Sequence, residues 1–77
     1  MPEITGDMKV SEVIRRWPAT IDIFLGRGCP DMRRGLFAMM ARIMSVRAAA
    51  RVHRLELTPL LADLNATASR SRLAPLT

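Results

Sequence analysis

The sequence predicts an all-α fold, a small single domain of about five short helices behind a short extended N-terminal lead. Three observations carry that expectation. Apolar residues recur at helical spacing through most of the chain. The helix-breaking and helix-capping residues Pro18, Gly28, Pro30, Ser45 and Thr58-Pro59 fall between those apolar stripes. The 77 residues contain no internal repeat, low-complexity tract or interdomain linker, so one domain accounts for them.

The lead is extended at Glu3-Ile4-Thr5 and turns at Gly6-Asp7. Val10, Val13, Ile14 and Trp17 then stand at i, i+3, i+4 and i+7, the stripe of a first helix that Pro18 ends. Trp17 completes that stripe and is read as core. Lys9 stands where a capping Ser or Thr is preferred, although Glu12 lies at capping-box spacing from it. A second helix is expected from about Ala19 to Arg27, with Ile21, Phe24 and Leu25 inward and Gly28 as a left-handed cap. Ile23 points off that stripe, which implies cover on a second side.

Cys29-Pro30-Asp31 restarts the chain, with Pro30 suited to a helix start. Met32 to Met44 is the third helical pattern. Leu36, Phe37, Met39, Met40, Ile43 and Met44 span roughly 160° of its wheel, opposite Arg34, Ala38, Ala41 and Arg42. An arc that wide, with three flexible thioethers on it, is expected to serve a subunit interface. Ordinary core filling and an interfacial membrane helix are the competing readings.

Ser45 caps a fourth helix from Val46 to about His53, whose inner face is Val46, Ala49, Ala50 and His53. His53 is read as a core residue with a ring nitrogen on a carbonyl. Arg47, Arg51 and Arg54 form a basic ridge at i, i+4 and i+7, a candidate anion-binding surface whose ordinary role is solvation. Thr58-Pro59 opens a fifth helix with Leu60, Leu61 and Leu64 inward. The helical domain is expected over residues 1–65, and residues 66–77 read as a flexible basic tail.

Composition narrows the function classes. The net charge is +5, and eleven of the twelve basic residues are arginine. Residues 33–77 hold eight arginines against Glu56 and Asp63, so the positive field lies almost wholly there. One cysteine and one histidine allow neither an internal disulfide nor a four-ligand structural zinc site. A chain this short then depends on regular helix packing, on a partner subunit, or on both. Met1–Asp7 is acidic and lacks the apolar run of a secretory signal. No stretch is long and apolar enough to span a membrane, and a lone thiol fits the cytoplasm. Gly26-Arg27-Gly28 follows a helix instead of opening one, unlike a phosphate loop. No nucleophile–base set or carboxylate pair can be assembled. The expectation is a protein that is not an enzyme and needs no cofactor.

The residues also form a recognisable pattern. Asp7-Met8-Lys9-Val10-Ser11-Glu12-Val13-Ile14, Arg16-Trp17-Pro18-Ala19, Phe24-Leu25 and Gly28 stand in an order that resembles the DUF1858 domains, also called hybrid-cluster-protein-associated redox disulfide domains. Ala48-Ala49-Ala50-Arg51-Val52-His53, Leu55-Glu56-Leu57 and Leu60-Leu61-Ala62-Asp63-Leu64-Asn65 look like that family's last two helices. The resemblance covers residues 4–65. It implies a compact helical domain, often found alone in bacteria, with a Cys-x-x-Cys pair after the second helix. Here only Cys29 falls in that region, and Arg54 stands where the family usually has Gly. A dithiol cycle needs a second thiol to resolve the mixed disulfide, so one subunit cannot run it.

Two chemical readings compete with self-association. Cys29 is a candidate reactive thiol ahead of a helix start and near Arg27, Arg33 and Arg34, which would lower its pKa. That suits a redox-, metal- or haem-responsive module. The weaker reading is nucleic-acid binding through Arg47, Arg51 and Arg54. The leading expectation is an interaction domain that forms a homo-oligomer through the Met-rich helix.

Overall fold

A computed structural model describes residues 3–73 of the chain, with side chains as far as residue 71. Five helices follow one another: α1 (Val10–Arg16), α2 (Thr20–Gly26), α3 (Gly35–Ile43), α4 (Val46–Val52) and α5 (Leu57–Leu73). No strand forms among the described residues; a single antiparallel bridge joins Lys9 to Ser45. The chain is a small all-α domain, as its apolar spacing predicts.

The N-terminal lead is threaded into the fold by backbone hydrogen bonds. Val10 N donates to Met44 O (3.0 Å), Val46 N to Met8 O (2.9 Å) and Arg47 N to Gly6 O (2.9 Å). The lead therefore lies alongside the connection between α3 and α4. Lys9 Nζ donates to Ile43 O (2.9 Å) and places a cation at the C-terminal end of α3. On its other side the lead is clasped by Asn65 of α5. The Asn65 side-chain oxygen accepts from Ile4 N (2.8 Å), while its nitrogen donates to Ile4 O (2.9 Å) and Leu61 O (3.0 Å). That clasp holds Ile4 fully buried.

The core forms where the stripes converge. α1 packs on α2 and α3, and α5 packs on α2 and α4. Val10, Val13 and Trp17 are buried as expected, with the Arg16 guanidinium 4.5 Å from the Trp17 ring centroid. Phe24, Val46, Leu60 and Leu64 complete the interior. Ser45 Oγ accepts from Ala48 N (3.1 Å), the expected cap of α4, and Ala49 and Ala50 are buried behind it. The α2 face differs from expectation. Thr20 is buried, its hydroxyl donating to Trp17 O (2.7 Å), whereas Leu25 reaches solvent.

Two boundaries correct the sequence reading. The third helix does not begin near Pro30; residues 32–34 form a turn and α3 starts at Gly35, whose φ is +64°. Asp31 explains this, because its Oδ1 accepts from Arg33 N (3.1 Å) and offers the backbone a turn in place of a helix. The fifth helix does not stop near residue 65 but runs to Leu73. Residues 66–73 are helix instead of a flexible tail, and Thr67 and Ala68 are buried in the packing. Residues 74–77 of that expected tail lie outside the described residues.

Candidate functional site

The site is built from the break between α2 and α3, the α3 helix itself, and the facing side of α4. At the break, Gly28 adopts φ +91°, and the chain closes α2 with two bonds: Gly28 N to Leu25 O and Cys29 N to Phe24 O, both 3.1 Å. This is a Schellman closure, and glycine is the residue that enters it without strain. Arg27 then forms an ion pair with Asp63 of α5, tying the end of α2 to the last helix.

Cys29 follows directly, 5% exposed and inside the core cluster. Burial pushes its thiol above the ordinary value. The direction is opposite to the lowering expected from a helix start and nearby arginines. The physical reason lies in where those charges go. Asp31 takes Arg33 through Nε (2.9 Å) and Nη2 (3.0 Å), and Arg34 Nε stands 3.9 Å from the same carboxylate. With α3 beginning six residues after Cys29, the thiol does not stand at its first turn either. Hydrogen bonds from Arg33, aided by its charge, hold the Asp31 carboxyl at about 2.

The candidate interface residues of α3 are turned outward. Ile43 is 71% exposed, Leu36 67% and Met39 61%, whereas Ala41, on the opposite side of the helix, is 1% exposed. Sequence reading placed Ala38 and Ala41 away from the apolar arc, and they are indeed on the other side. That side is the one against the body of the protein. Small residues let α3 approach α1 closely, and the apolar ridge is left over. Phe37 and Met40 are also exposed, at the flank of the ridge nearer α4. Met44 corrects the expected arc: it sits past the helix end in extended conformation, half-buried against the core. Val52 of α4, 62% exposed, was not among the expected residues. It stands six residues after Val46, off the buried stripe of α4, and no spacing rule marks it as part of a surface.

Between the flank of α3 and α4 lies an apolar pocket of about 130 Å³. Met32, Phe37, Met40 and Met44 line it from one direction, and Ala49, Val52 and His53 from α4. His53 is half-buried at the C-terminal cap of α4, and among the described residues its ring has no hydrogen-bond partner. The expected bond from a ring nitrogen to a carbonyl does not form among the described residues.

The arginine ridge does not present three free cations. Arg47 is ion-paired with Asp7 of the lead. Arg51 and Arg54 are exposed and have no ion-pair partner among the described residues. Arg54 is the C′ residue of α4 at φ +56°, with Arg54 N donating to Arg51 O (3.2 Å) and Leu55 N to Ala50 O (2.7 Å). The same closure that uses Gly28 at α2 is made here by an arginine. The described residues contain no group of three His, Cys, Asp or Glu side chains able to hold a metal.

A family model described as "Domain of unknown function (DUF1858)" matches residues 4–61. The chain belongs to the DUF1858 family. The match takes in the lead, α1 to α4 and the first turn of α5. No match was found among curated proteins or among solved structures. In this DUF1858 domain Asn65, which clasps the lead, and the buried Thr67 and Ala68 lie beyond the matched residues. No helix of the described residues is long and apolar enough to cross a membrane.

Proposed function

We propose that this DUF1858 domain is a non-enzymatic interaction module that self-associates through the outer face of α3. The observation that carries the reading is the ridge Leu36, Met39 and Ile43, exposed on the side of the helix opposite its core contact. With Phe37, Met40 and Val52 it forms an exposed apolar surface on the order of 600 Å², at the upper end of what soluble monomers carry.

The geometry favours a second copy of the same helix. Leu36, Met39 and Ile43 are spaced three and four residues apart, the seam of two helices packed side by side. A nine-residue α3 is short, and its partner is best placed antiparallel across a two-fold axis, with Leu36 over the partner's Ile43 and Met39 near the axis. A standard interface buries about 800 Å² on each partner, so the ridge would form its apolar centre and the surrounding polar residues its rim. Self-association also supplies burial to α3, which has only Ala41 fully inside the domain.

Light scattering after size-exclusion chromatography tests the proposal. The expected result is a dimer at micromolar concentration, converted to a folded monomer by Leu36→Glu with Ile43→Glu. Both side chains are exposed, so the pair leaves the core intact. A wild-type protein that stays monomeric at 100-fold higher concentration than the assay's lower limit overturns it.

The redox reading centred on Cys29 loses support from the buried, raised thiol. The nucleic-acid reading loses one of its three cations to Asp7.

A further inference from the structure

The single histidine of the chain and three of its methionines line one pocket. Met32 enters from the turn before α3, Met40 from α3, Met44 from the connection to α4, and His53 from the end of α4. The rest of the lining is apolar, Val10 and Ala49 among it. Four donors of this kind in one apolar pocket have a definite chemistry. Thioether sulfur and neutral imidazole are soft or borderline ligands, and they select a soft monovalent cation over zinc, magnesium or calcium. We infer that the α3–α4 pocket is a binding site for Cu(I), held by the sulfurs of Met32, Met40 and Met44 and a ring nitrogen of His53.

Three features of the pocket fit that occupant. The ring of His53 has no hydrogen-bond partner among the described residues, so a nitrogen lone pair is available. No carboxylate lines the pocket, which withholds the oxygen ligands that hard cations need. Thioethers carry no charge and imidazole binds an ion only in its unprotonated form, so one bound ion adds a single positive charge, less costly in an apolar site than a divalent ion. The pocket, at about 130 Å³, is larger than a bare ion requires. Methionine, unbranched and with three rotatable side-chain bonds, can draw its sulfur inward without moving the backbone. Binding is simple coordination: Cu(I) enters and leaves as Cu(I), and no electron is transferred.

Cys29 is the competing ligand, because a thiolate binds Cu(I) more tightly than a thioether and its neighbour Pro30 lines the pocket. The experiment therefore uses the full chain carrying Cys29→Ala, titrated anaerobically with Cu(I) against a chromophoric Cu(I) chelator. Ag(I), which is redox-inert, serves as the probe for NMR of the methionine methyl and histidine ring signals. The expected result is one ion per chain, with shifts at Met32, Met40, Met44 and His53 and not at Met8 or Met39. Met40→Leu together with Met44→Leu conserves side-chain volume, so packing is kept while at least about 100-fold in affinity is lost. Should that pair fail to fold, His53→Gln and Met40→Leu singly, both at partly exposed positions, carry the same expectation of weaker binding. Binding that disappears with Cys29→Ala overturns the proposal, as does affinity unchanged by the Met→Leu or His53→Gln substitutions. Because Leu36 and Ile43 lie outside the pocket, the Leu36→Glu, Ile43→Glu monomer should still take up the ion. The two proposals therefore stand or fall separately.

Discussion

Arg54 shows how a single residue can hold a conformation that suits it poorly. Its φ of +56° is the left-handed value that a Cβ makes unfavourable, and the two closing bonds of α4 keep it there. Replacing it with Gly removes the strain and leaves both bonds in place. Arg54→Gly should stabilise the domain by up to about 1 kcal/mol, which for a domain of this size raises Tm by about 4–8 °C. Thermal unfolding followed by circular dichroism measures it; an unchanged or lower Tm would show that the arginine side chain compensates for its backbone. Asp31 makes a second residue-scale prediction. Its folded carboxyl sits at about 2, below the ordinary 3.8, so its contribution is present above the unfolded value and is lost as pH falls through the folded one. The difference in stability between wild type and Asp31→Asn should thus be constant near neutrality and shrink between about pH 4 and pH 2. Urea midpoints at several pH values check the sign. The effect is small, because the pair with Arg33 and Arg34 is solvent-exposed.

At the scale of elements, legibility depended on what kind of packing each helix uses. α1 and α4 were readable because Val10, Val13 and Trp17, and Ser45 with its alanines, follow rules of spacing and capping that act within one helix. The start of α3 was not, because the decision is made by Asp31 bonding to Arg33, a side-chain turn that competes with helix over three residues. The outward ridge was legible as a wide arc and as a candidate interface, with core filling as the competing reading, and spacing alone does not decide between the two. Which side of α3 faces the core is set by how closely Ala38 and Ala41 let it approach α1, and hydrophobic pattern favours the larger residues. α5 was cut short for the same reason. Ala66-Thr67-Ala68-Ser69 has little apolar area, yet Ala68 is fully buried and Thr67 nearly so. Close approach has replaced bulk there. Ala68→Leu separates the two views of this segment: in a packed helix the added methylenes should cost about 1–3 kcal/mol, whereas on a frayed tail they should cost nothing. Denaturant unfolding reads the outcome directly.

For the whole molecule the decisive question is which force brings two copies, or a copy and another partner, together. The α3 ridge is apolar, while Arg42 on the flank of α3 and Arg15 of α1 border one shallow groove and have no ion-pair partner among the described residues. In the proposed dimer, two copies would each bring a net charge of +5 into one particle. Apolar burial would then drive the proposed association and like-charge repulsion would oppose it. Salt screens the repulsion, since exposed charges further apart than about 10 Å at 0.1 M are largely hidden from one another, and it leaves the apolar term untouched. Self-association should therefore tighten by a few-fold between about 0.05 M and 0.5 M sodium chloride. Binding to a nucleic acid through Arg51 and Arg54 has the opposite dependence, because released counterions make affinity fall steeply with salt. Sedimentation measurements across that range give the sign. Ile43→Arg supplies the matching substitution: it places a cation at each end of the proposed seam, opposite the partner's Leu36, at a position 71% exposed and so outside the core. It should weaken the dimer by about 2 kcal/mol or more, roughly thirtyfold. That loss should be partly recovered at high salt, since part of it is repulsion between the two new arginines and the existing rim. A dimer that Ile43→Arg leaves intact, or that dissociates as salt rises, would place the contact elsewhere on the molecule.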